Sequence, residues 1–164
     1  MLLMSRWDDV AAETPELAAF VRQRIEAHGL ALIATLRADG APRISGVEPL
    51  FHDGQLWFGM MPGGRKSADL RRDPRFALHG ATVDKDVEDG DVKVSGLAVE
   101  VTDDEAKSAF LAAFAAHTGY SPPPGAFDLF TADVTDLTSI RPATDHLVIE
   151  SWVEGRGTRR IERR

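Results

Sequence analysis

Short apolar runs separated by glycine-containing turns dominate the hydrophobic pattern of this chain, and such runs are typical of β-strands. Residues 30–36 are almost all apolar and predict a buried strand. Asp39-Gly40 and Asp53-Gly54 are strong hairpin signals, and they separate this run from two further runs at 43–51 and 56–61. We therefore predict three consecutive strands joined as an antiparallel meander.

Helical periodicity is confined to two long segments. Thr14 suits a helix start, and apolar residues at helical spacing predict a helix over 14–28 that Gly29 ends. Residues 102–105 fit a capping box for a second helix, which ends at Gly119. A short helix is predicted at 67–72, and further strands are predicted at 76–81, 92–101, 127–140 and 146–153.

The strands do not alternate regularly with helices, so the pattern predicts a mainly β fold (β+α) rather than a doubly wound sheet. An antiparallel barrel with peripheral helices fits it best. We expect a single domain over residues 1–164. The N-terminal lead, 1–13, and the Gly- and Arg-rich tail, 154–164, carry no predicted element, and we expect the tail to be mobile.

Composition narrows the classes of partner. A chain of 164 residues suits one domain, and its net charge of −7 argues against general binding of nucleic acid. Without cysteine it can form neither a disulfide nor a thiolate metal site. Its first residues do not resemble a signal peptide, and no apolar run approaches membrane-spanning length. We therefore expect a cytoplasmic protein with no membrane partner.

The loop Met61-Pro62-Gly63-Gly64, followed by Arg65, Lys66 and Ser67, is the strongest chemical signal in the sequence. A glycine-rich loop before a helix exposes backbone N–H groups, and two adjacent cations add charge that suits phosphate oxygens. We interpret the loop as a phosphate cradle; the alternative is a surface turn with solvated basic residues. It is not a P-loop, since Arg65 interrupts the spacing and the fold is antiparallel.

Other catalytic constellations are absent from the sequence pattern. The five histidines are scattered, and the acidic run at 84–91 lacks the spacing of a calcium loop, so we predict no metal site. No side chain stands out as a nucleophile or as an acid–base pair. If the protein is an enzyme, a bound cofactor is then expected to carry the chemistry.

Several of these segments together resemble one family. The turn at 39–40, the strands around 42–45 and 53–58, the Arg65-Lys66 pair and the segment 70–75 are similar to the pyridoxamine 5′-phosphate oxidase-like flavoproteins. The resemblance implies a split β-barrel that forms a homodimer. It also implies FMN, or an 8-hydroxy-5-deazaflavin coenzyme, in the groove between the subunits.

The resemblance also assigns cofactor contacts to this chain. The expected residues are Arg43, Ile44, Ser45, Gly46, Val47, Glu48, Gly59, Met60, Arg65, Lys66, Ser67 and Trp152. Three departures argue against the vitamin-processing reaction itself: Glu48 replaces a lysine, Asp91 stands near the place of a flavin-contacting glutamine, and the tail lacks the substrate-holding Arg-His pair.

Three functions remain as hypotheses. The first is a flavin-dependent oxidoreductase that passes hydride or electrons to or from a small organic substrate. The second is a deazaflavin-dependent reductase, in which Arg71, Arg72 and Arg75 would hold the more highly charged coenzyme tail. The third is a non-catalytic protein that stores or senses flavin or haem.

Overall fold

The computed structural model describes residues 6–123 and 125–164, which form four helices and nine strands. The helices are α1 (Trp7–Glu13), α2 (Pro15–Glu26), α3 (Arg65–Arg72) and α4 (Asp104–Thr118). The strands are β1 (Ala31–Leu36), β2 (Pro42–Val47), β3 (Pro49–His52), β4 (Gln55–Met60), β5 (Arg75–Gly80), β6 (Asp91–Glu100), β7 (Asp128–Pro142), β8 (Leu147–Val153) and β9 (Gly157–Arg163).

All strand pairs are antiparallel, and the main path through the sheet runs β2-β1-β5-β6-β7-β4-β3. The long strand β7 also pairs with β8, which in turn pairs with β9. The sheet curls around an apolar core without closing. This arrangement confirms the predicted mainly β fold, an antiparallel split barrel with peripheral helices.

The predicted meander is wrong at its middle strand. Residues 43–51 form two strands instead of one, because the chain leaves β1 after Val47 and joins β4 from Pro49 onward. Pro49 has no N–H with which to extend the ladder to β1, so a change of partner at this point loses no hydrogen bond. As a result β2 and β3 lie at opposite ends of the sheet path, with Glu48 between them.

The N-terminal lead contains an additional helix that the hydrophobic pattern did not reveal. Trp7 and Val10 of α1 are buried in the main core, and the Trp7 ring meets Phe51 edge-on with centroids 4.6 Å apart. Seven residues are too few for a clear helical period, so the tertiary contact of Trp7 decides the structure. Residues 1–5 of the lead lie outside the described residues.

The arginine-rich tail is a strand rather than a mobile segment. Gly155 and Gly157 both adopt positive φ, which lets the chain turn sharply after β8. β9 then pairs with β8 along its whole length, with Ile161 opposite Ile149. Most β9 side chains are exposed, so the strand is held by its backbone ladder.

Two apolar clusters fill the interior. The larger lies inside the barrel and is covered by α2 through Leu17, Val21 and Ile25. The smaller joins α4 to the sheet through Phe110 and Phe114. In the described residues, no helix is both long and apolar enough to cross a bilayer.

Candidate functional site

The glycine-rich loop leads directly into α3, as the sequence predicts, but its N–H groups are partly committed. The N–H of Gly63 donates to Asp128 Oδ2 at 3.0 Å, and the N–H of Gly64 donates to the Met61 carbonyl at 3.3 Å. Gly64 caps α3 with its backbone only, and no side chain caps the helix start. An anion at this place would therefore meet the first turn of α3 rather than the loop itself.

A pocket of about 440 Å³ opens at this helix start, and we call it the basic pocket. Its walls are Arg37, Arg43, Ile44, Ser45, Met61, Gly64, Arg65 and Lys66. Four of these side chains are cationic, and none of the described residues that line the pocket is acidic. Such a surface suits a small anion, since each cation can donate charge-assisted hydrogen bonds.

Lys66 is fixed at the wall of the basic pocket. Its ammonium donates to the carbonyl oxygen of Gly46 at 2.7 Å and so ties α3 to β2. Burial lowers the pKa of Lys66 below its ordinary value. A bound anion beside the ammonium would favour its charged form and so offset the effect of burial.

Arg43 is positioned by a buried carboxylate. Its Nε donates to Asp69 Oδ2 at 2.7 Å, and Asp69 also accepts from Thr35 Oγ1 at 2.8 Å and from Arg72 at 3.1 Å. Asp69 is only 3% exposed. Burial raises the pKa of Asp69, but the hydrogen bonds from Arg43, Thr35 and Arg72 lower it more strongly, to about 2. Asp69 therefore stays ionised and holds the Arg43 guanidinium at the pocket wall.

The three arginines that follow Lys66 in α3 and β5 are committed to internal ion pairs. Arg71 reaches Glu100 at 2.5 Å and Asp128 at 2.7 Å. Arg72 pairs with Asp69, and Arg75 pairs with Asp73 at 2.6 Å. None of the three lines the basic pocket.

A second pocket, of about 320 Å³, lies between the end of β4, α4 and the segment that follows α4; we call it the apolar pocket. Its walls include Gly59, Met60, Phe110, Phe114 and Phe127. Gly59 is required by this packing, because a Cβ there would come within 2.9 Å of the Phe110 ring. Glu48 also lines the apolar pocket, and Met61 lines both pockets.

The residues predicted as cofactor contacts divide between the two pockets. Arg43, Ile44, Ser45, Arg65 and Lys66 line the basic pocket, and Glu48, Gly59 and Met60 line the apolar pocket. Gly46 takes part through its carbonyl oxygen, which accepts from Lys66.

Three predicted contacts have side chains that the structure buries away from either pocket. Trp152 is 1% exposed in the main core and its indole donates to Glu13 at 2.9 Å, so it cannot cover a ligand ring. Ser67 is fully buried, with its hydroxyl 3.6 Å from the Met60 sulfur. Val47 also packs in the core. The alternation along β2 turns Val47 inward, and we remove these three side chains from the candidate site.

Sequence reasoning missed Arg37 in the basic pocket and the aromatic walls of the apolar pocket. Arg37 had a usable signal, since the hairpin pairs Thr35 with Arg43 and places Arg37 two residues further along the same face. Phe110 and Phe114 had none, because their helical spacing is that of any core helix. In the described part of the chain, no three His, Cys, Asp or Glu side chains lie close enough together to hold a metal ion.

The sequence model of the family described as pyridoxamine 5′-phosphate oxidase matches residues 17–141, which include β1 to β6 and both pocket-forming segments of β2 and α3. The chain belongs to the pyridoxamine 5′-phosphate oxidase family. Comparison with curated proteins finds no match.

Solved structures show the same fold at low identity. An FMN-binding protein from Nostoc punctiforme, related to pyridoxamine 5′-phosphate oxidase, is 12% identical with a TM-score of 0.65 and covers 92% of this chain and 96% of its own. PhzG from Burkholderia lata, in complex with tetrahydrophenazine-1-carboxylic acid, is 15% identical with a TM-score of 0.60, covering 98% and 96%. A haem-binding protein from Mycobacterium smegmatis is 15% identical with a TM-score of 0.57, covering 88% and 87%.

Proposed function

We propose that this family member binds FMN and acts as a flavin-dependent oxidoreductase on a small organic substrate. The observation that carries the proposal is the basic pocket beside the start of α3, which four cationic side chains and no acidic one line among the described residues. A phosphate monoester fits this donor set, because its oxygens accept from guanidinium, ammonium and helix N–H groups together.

The chain's own residues would bind and orient the cofactor. Arg43, Arg65 and Lys66 would hold the phosphate, with Asp69 fixing the direction of Arg43. Bound FMN accepts and donates a hydride or single electrons, so no side chain needs to act as nucleophile or metal ligand. The FMN-binding neighbour from Nostoc punctiforme supports the choice of cofactor.

The ion pairs of α3 favour FMN over the deazaflavin coenzyme. The second hypothesis needs Arg71, Arg72 and Arg75 for a more highly charged tail, but each of them already neutralises a carboxylate of the protein. If Arg71 turned to the coenzyme tail, Glu100 and Asp128 would lose their cationic partner. The contact with the tail would have to offset this loss of free energy.

A haem-binding role has weaker support, although one neighbour binds haem. None of the five histidines is among the described residues that line the two pockets.

The absorbance spectrum of the purified protein separates the three hypotheses. We expect flavin bands that survive desalting after FMN is added. A haem spectrum, or a protein that ignores FMN and quenches deazaflavin fluorescence, would contradict the proposal.

Lys66→Ala tests the basic pocket directly. We expect FMN affinity to fall by about 1.5–3 kcal/mol, since the variant loses a charge-assisted hydrogen bond to phosphate. Lys85→Ala is the matched control, because the Lys85 side chain is 87% exposed and pairs with its neighbour Asp86. Equal FMN affinity of the two folded variants, measured by fluorescence quenching, would refute the phosphate site.

We also propose that the protein is a homodimer that uses the outer face of the β1–β2 hairpin. Leu30, Leu32 and Ile44 lie on this face, with Ile44 71% exposed and Leu32 45% exposed. Apolar side chains grouped in this way are typical of a subunit interface.

Ile44→Asp should shift the mass measured by light scattering toward one subunit, since it places a charge on the proposed interface. Leu147 is also a large exposed apolar residue, but it lies in β8, which pairs with β7 and β9 and not with the hairpin, and Leu147→Asp serves as control. A wild-type protein of one-subunit mass would contradict the dimer.

A further inference from the structure

The apolar pocket adjoins the basic pocket, but its walls are mainly apolar and aromatic, whereas those of the basic pocket carry four cationic side chains. Met61 is 82% exposed and forms part of both walls, so a molecule in one pocket lies beside a molecule in the other. We propose that the apolar pocket is the substrate site and that it selects neutral or cationic ring-shaped molecules against anionic ones. This inference rests on the proposed flavin-dependent function.

The walls of the apolar pocket are aromatic and mutually supported. Phe110 stacks on Phe114 with centroids 5.8 Å apart and on Phe127 with centroids 5.9 Å apart. Trp57 packs behind Phe110 at 6.1 Å. Rings held in this way form a preformed surface on which a planar ligand can stack without ordering the side chains first.

The volume of the apolar pocket sets the size of the ligand. At about 320 Å³ it lies at the lower end of the range of small-molecule sites. One or two fused rings fit this space, whereas a long chain does not. Pro122 and Pro123 close the far side, and their fixed φ angles limit how far that wall can yield.

Glu48 is the only charged side chain among the described residues that line the apolar pocket. It is exposed, and among the described residues its carboxylate has neither a hydrogen bond nor an ion pair. A cationic amine or a hydrogen-bond donor on the ligand would satisfy it. An anionic ligand would meet the like charge of Glu48 and would leave water for a wall with no basic residue.

The position of Glu48 in the chain explains why it can serve this pocket. The residue lies between β2, which lines the basic pocket, and β3, where the backbone changes partner strand. Pro49 and Leu50 turn back into the core after it. The Glu48 side chain therefore faces the apolar pocket, while the preceding strand, β2, lines the basic pocket.

Three naphthalene derivatives with the same ring test the charge preference. Calorimetric titration of the full-length protein in excess inorganic phosphate, added to occupy the basic pocket, should give the tightest binding for 1-naphthylmethylamine, weaker binding for 1-naphthalenemethanol and the weakest for 1-naphthoate. Glu48→Gln should reduce the preference for the amine over the carboxylate about two- to fivefold, which is the size of a solvent-exposed charge pair. Glu88→Gln removes the same charge from the distant acidic loop and should leave the preference unchanged.

A second variant tests the location. Leu111→Trp fills the apolar pocket from α4 and should weaken binding of the amine about tenfold or more, while FMN affinity should fall much less. Equal affinity for amine and carboxylate, or an unaltered amine affinity in Leu111→Trp, would overturn the inference.

A parallel FMN titration of each sample separates this inference from the proposed function. FMN binding without amine binding overturns the substrate site alone. Amine binding that depends on Glu48 in a protein that ignores FMN supports the ligand class of the pocket and refutes the flavin function.

Discussion

The basic pocket and the apolar pocket share Met61 but are built by different physical means. The basic pocket is fixed by charged hydrogen bonds, among them those from Lys66 to Gly46 and from Arg43 to Asp69. The apolar pocket is fixed by the packing of aromatic rings around Gly59, and Glu48 is the charged residue among those described at its wall.

The difference shows that two ligand classes require two kinds of preorganisation. A phosphate site needs cations whose directions are already fixed, because unpaired flexible charges would have to be ordered on binding. A ring site needs a stable shape, and stacked phenylalanines provide it without any polar partner. Changes to Asp69 and to Gly59 should therefore each damage one pocket more than the other.

Asp69→Ala should have the largest effect. It leaves Arg43 and Arg72 without their buried carboxylate, and we expect the free energy of unfolding to fall by about 3 kcal/mol. FMN affinity should fall as well, because Arg43 loses its fixed direction, while binding of 1-naphthylmethylamine stays unchanged. Urea unfolding and the two titrations measure these quantities.

Asp73→Ala provides the control for Asp69→Ala. Asp73 also pairs with an arginine, Arg75, but this pair is solvated and contributes much less. If the two variants were equally stable, the buried network would not be what holds the basic pocket.

Gly59→Ala should have the next largest effect and the opposite selectivity. The new methyl group would press on the Phe110 ring at 2.9 Å, and overpacking of this kind costs about 2 kcal/mol of stability. Affinity for 1-naphthylmethylamine should fall more than FMN affinity, because the aromatic wall shifts while the cations of the basic pocket stay in place.

Gly46→Ala is the matched strand glycine, since a Cβ there meets only Leu30, at an ordinary 3.6 Å. Its stability should stay within about 0.5 kcal/mol of the wild-type value. A Gly59→Ala protein as stable as Gly46→Ala would show that Phe110 is not tightly packed.

Lowering the pH should reduce the stability that ionised Asp69 contributes, but by less than the substitution Asp69→Ala does. The pKa of Asp69 is about 2 in the folded protein and 3.8 ordinarily, so its contribution to stability is complete above about pH 4 and declines as the pH falls toward 2. The stability difference between wild type and Asp69→Asn should therefore be smaller at pH 3 than at pH 5.

The comparison with Asp69→Asn is needed because Asp73 titrates in the same range of pH. A stability difference that did not change with pH would mean that the pKa of Asp69 is not lowered in the folded state.

The sequence predicted the barrel well where local signals are strong. The Asp-Gly turns identified both hairpins, and the charge pair Arg65-Lys66 identified the basic pocket. It failed at 43–51, because an apolar strand pattern does not reveal which partner each half joins. The choice between β1 and β4 is made by tertiary packing.

The residues of the candidate site could be predicted only in part, because tertiary contacts decide which side chains are available to a ligand. Arg71 looks available in the sequence, but its carboxylate partners, Glu100 and Asp128, lie 29 and 57 residues away. The partners of Arg72 and Arg75 lie within three residues of them, and this local signal was overlooked. Trp152 is an aromatic residue in the final predicted strand, and nothing in its neighbours reveals the contact with Glu13 that keeps it inside. Long-range pairs of this kind decide which charges and rings remain for a ligand.

The outer strand β9 has a composition that disfavours edge-to-edge pairing between two copies of the protein. Within the described residues β9 pairs only with β8, so its other side presents backbone donors and acceptors to solvent. Arg159, Arg160 and Arg163 lie along it. A second copy that paired its own β9 with Arg160 opposite Arg160 would bring like charges together, and the repulsion would oppose that pairing. We therefore expect the exposed arginines of β9 to discourage edge-to-edge association through this strand.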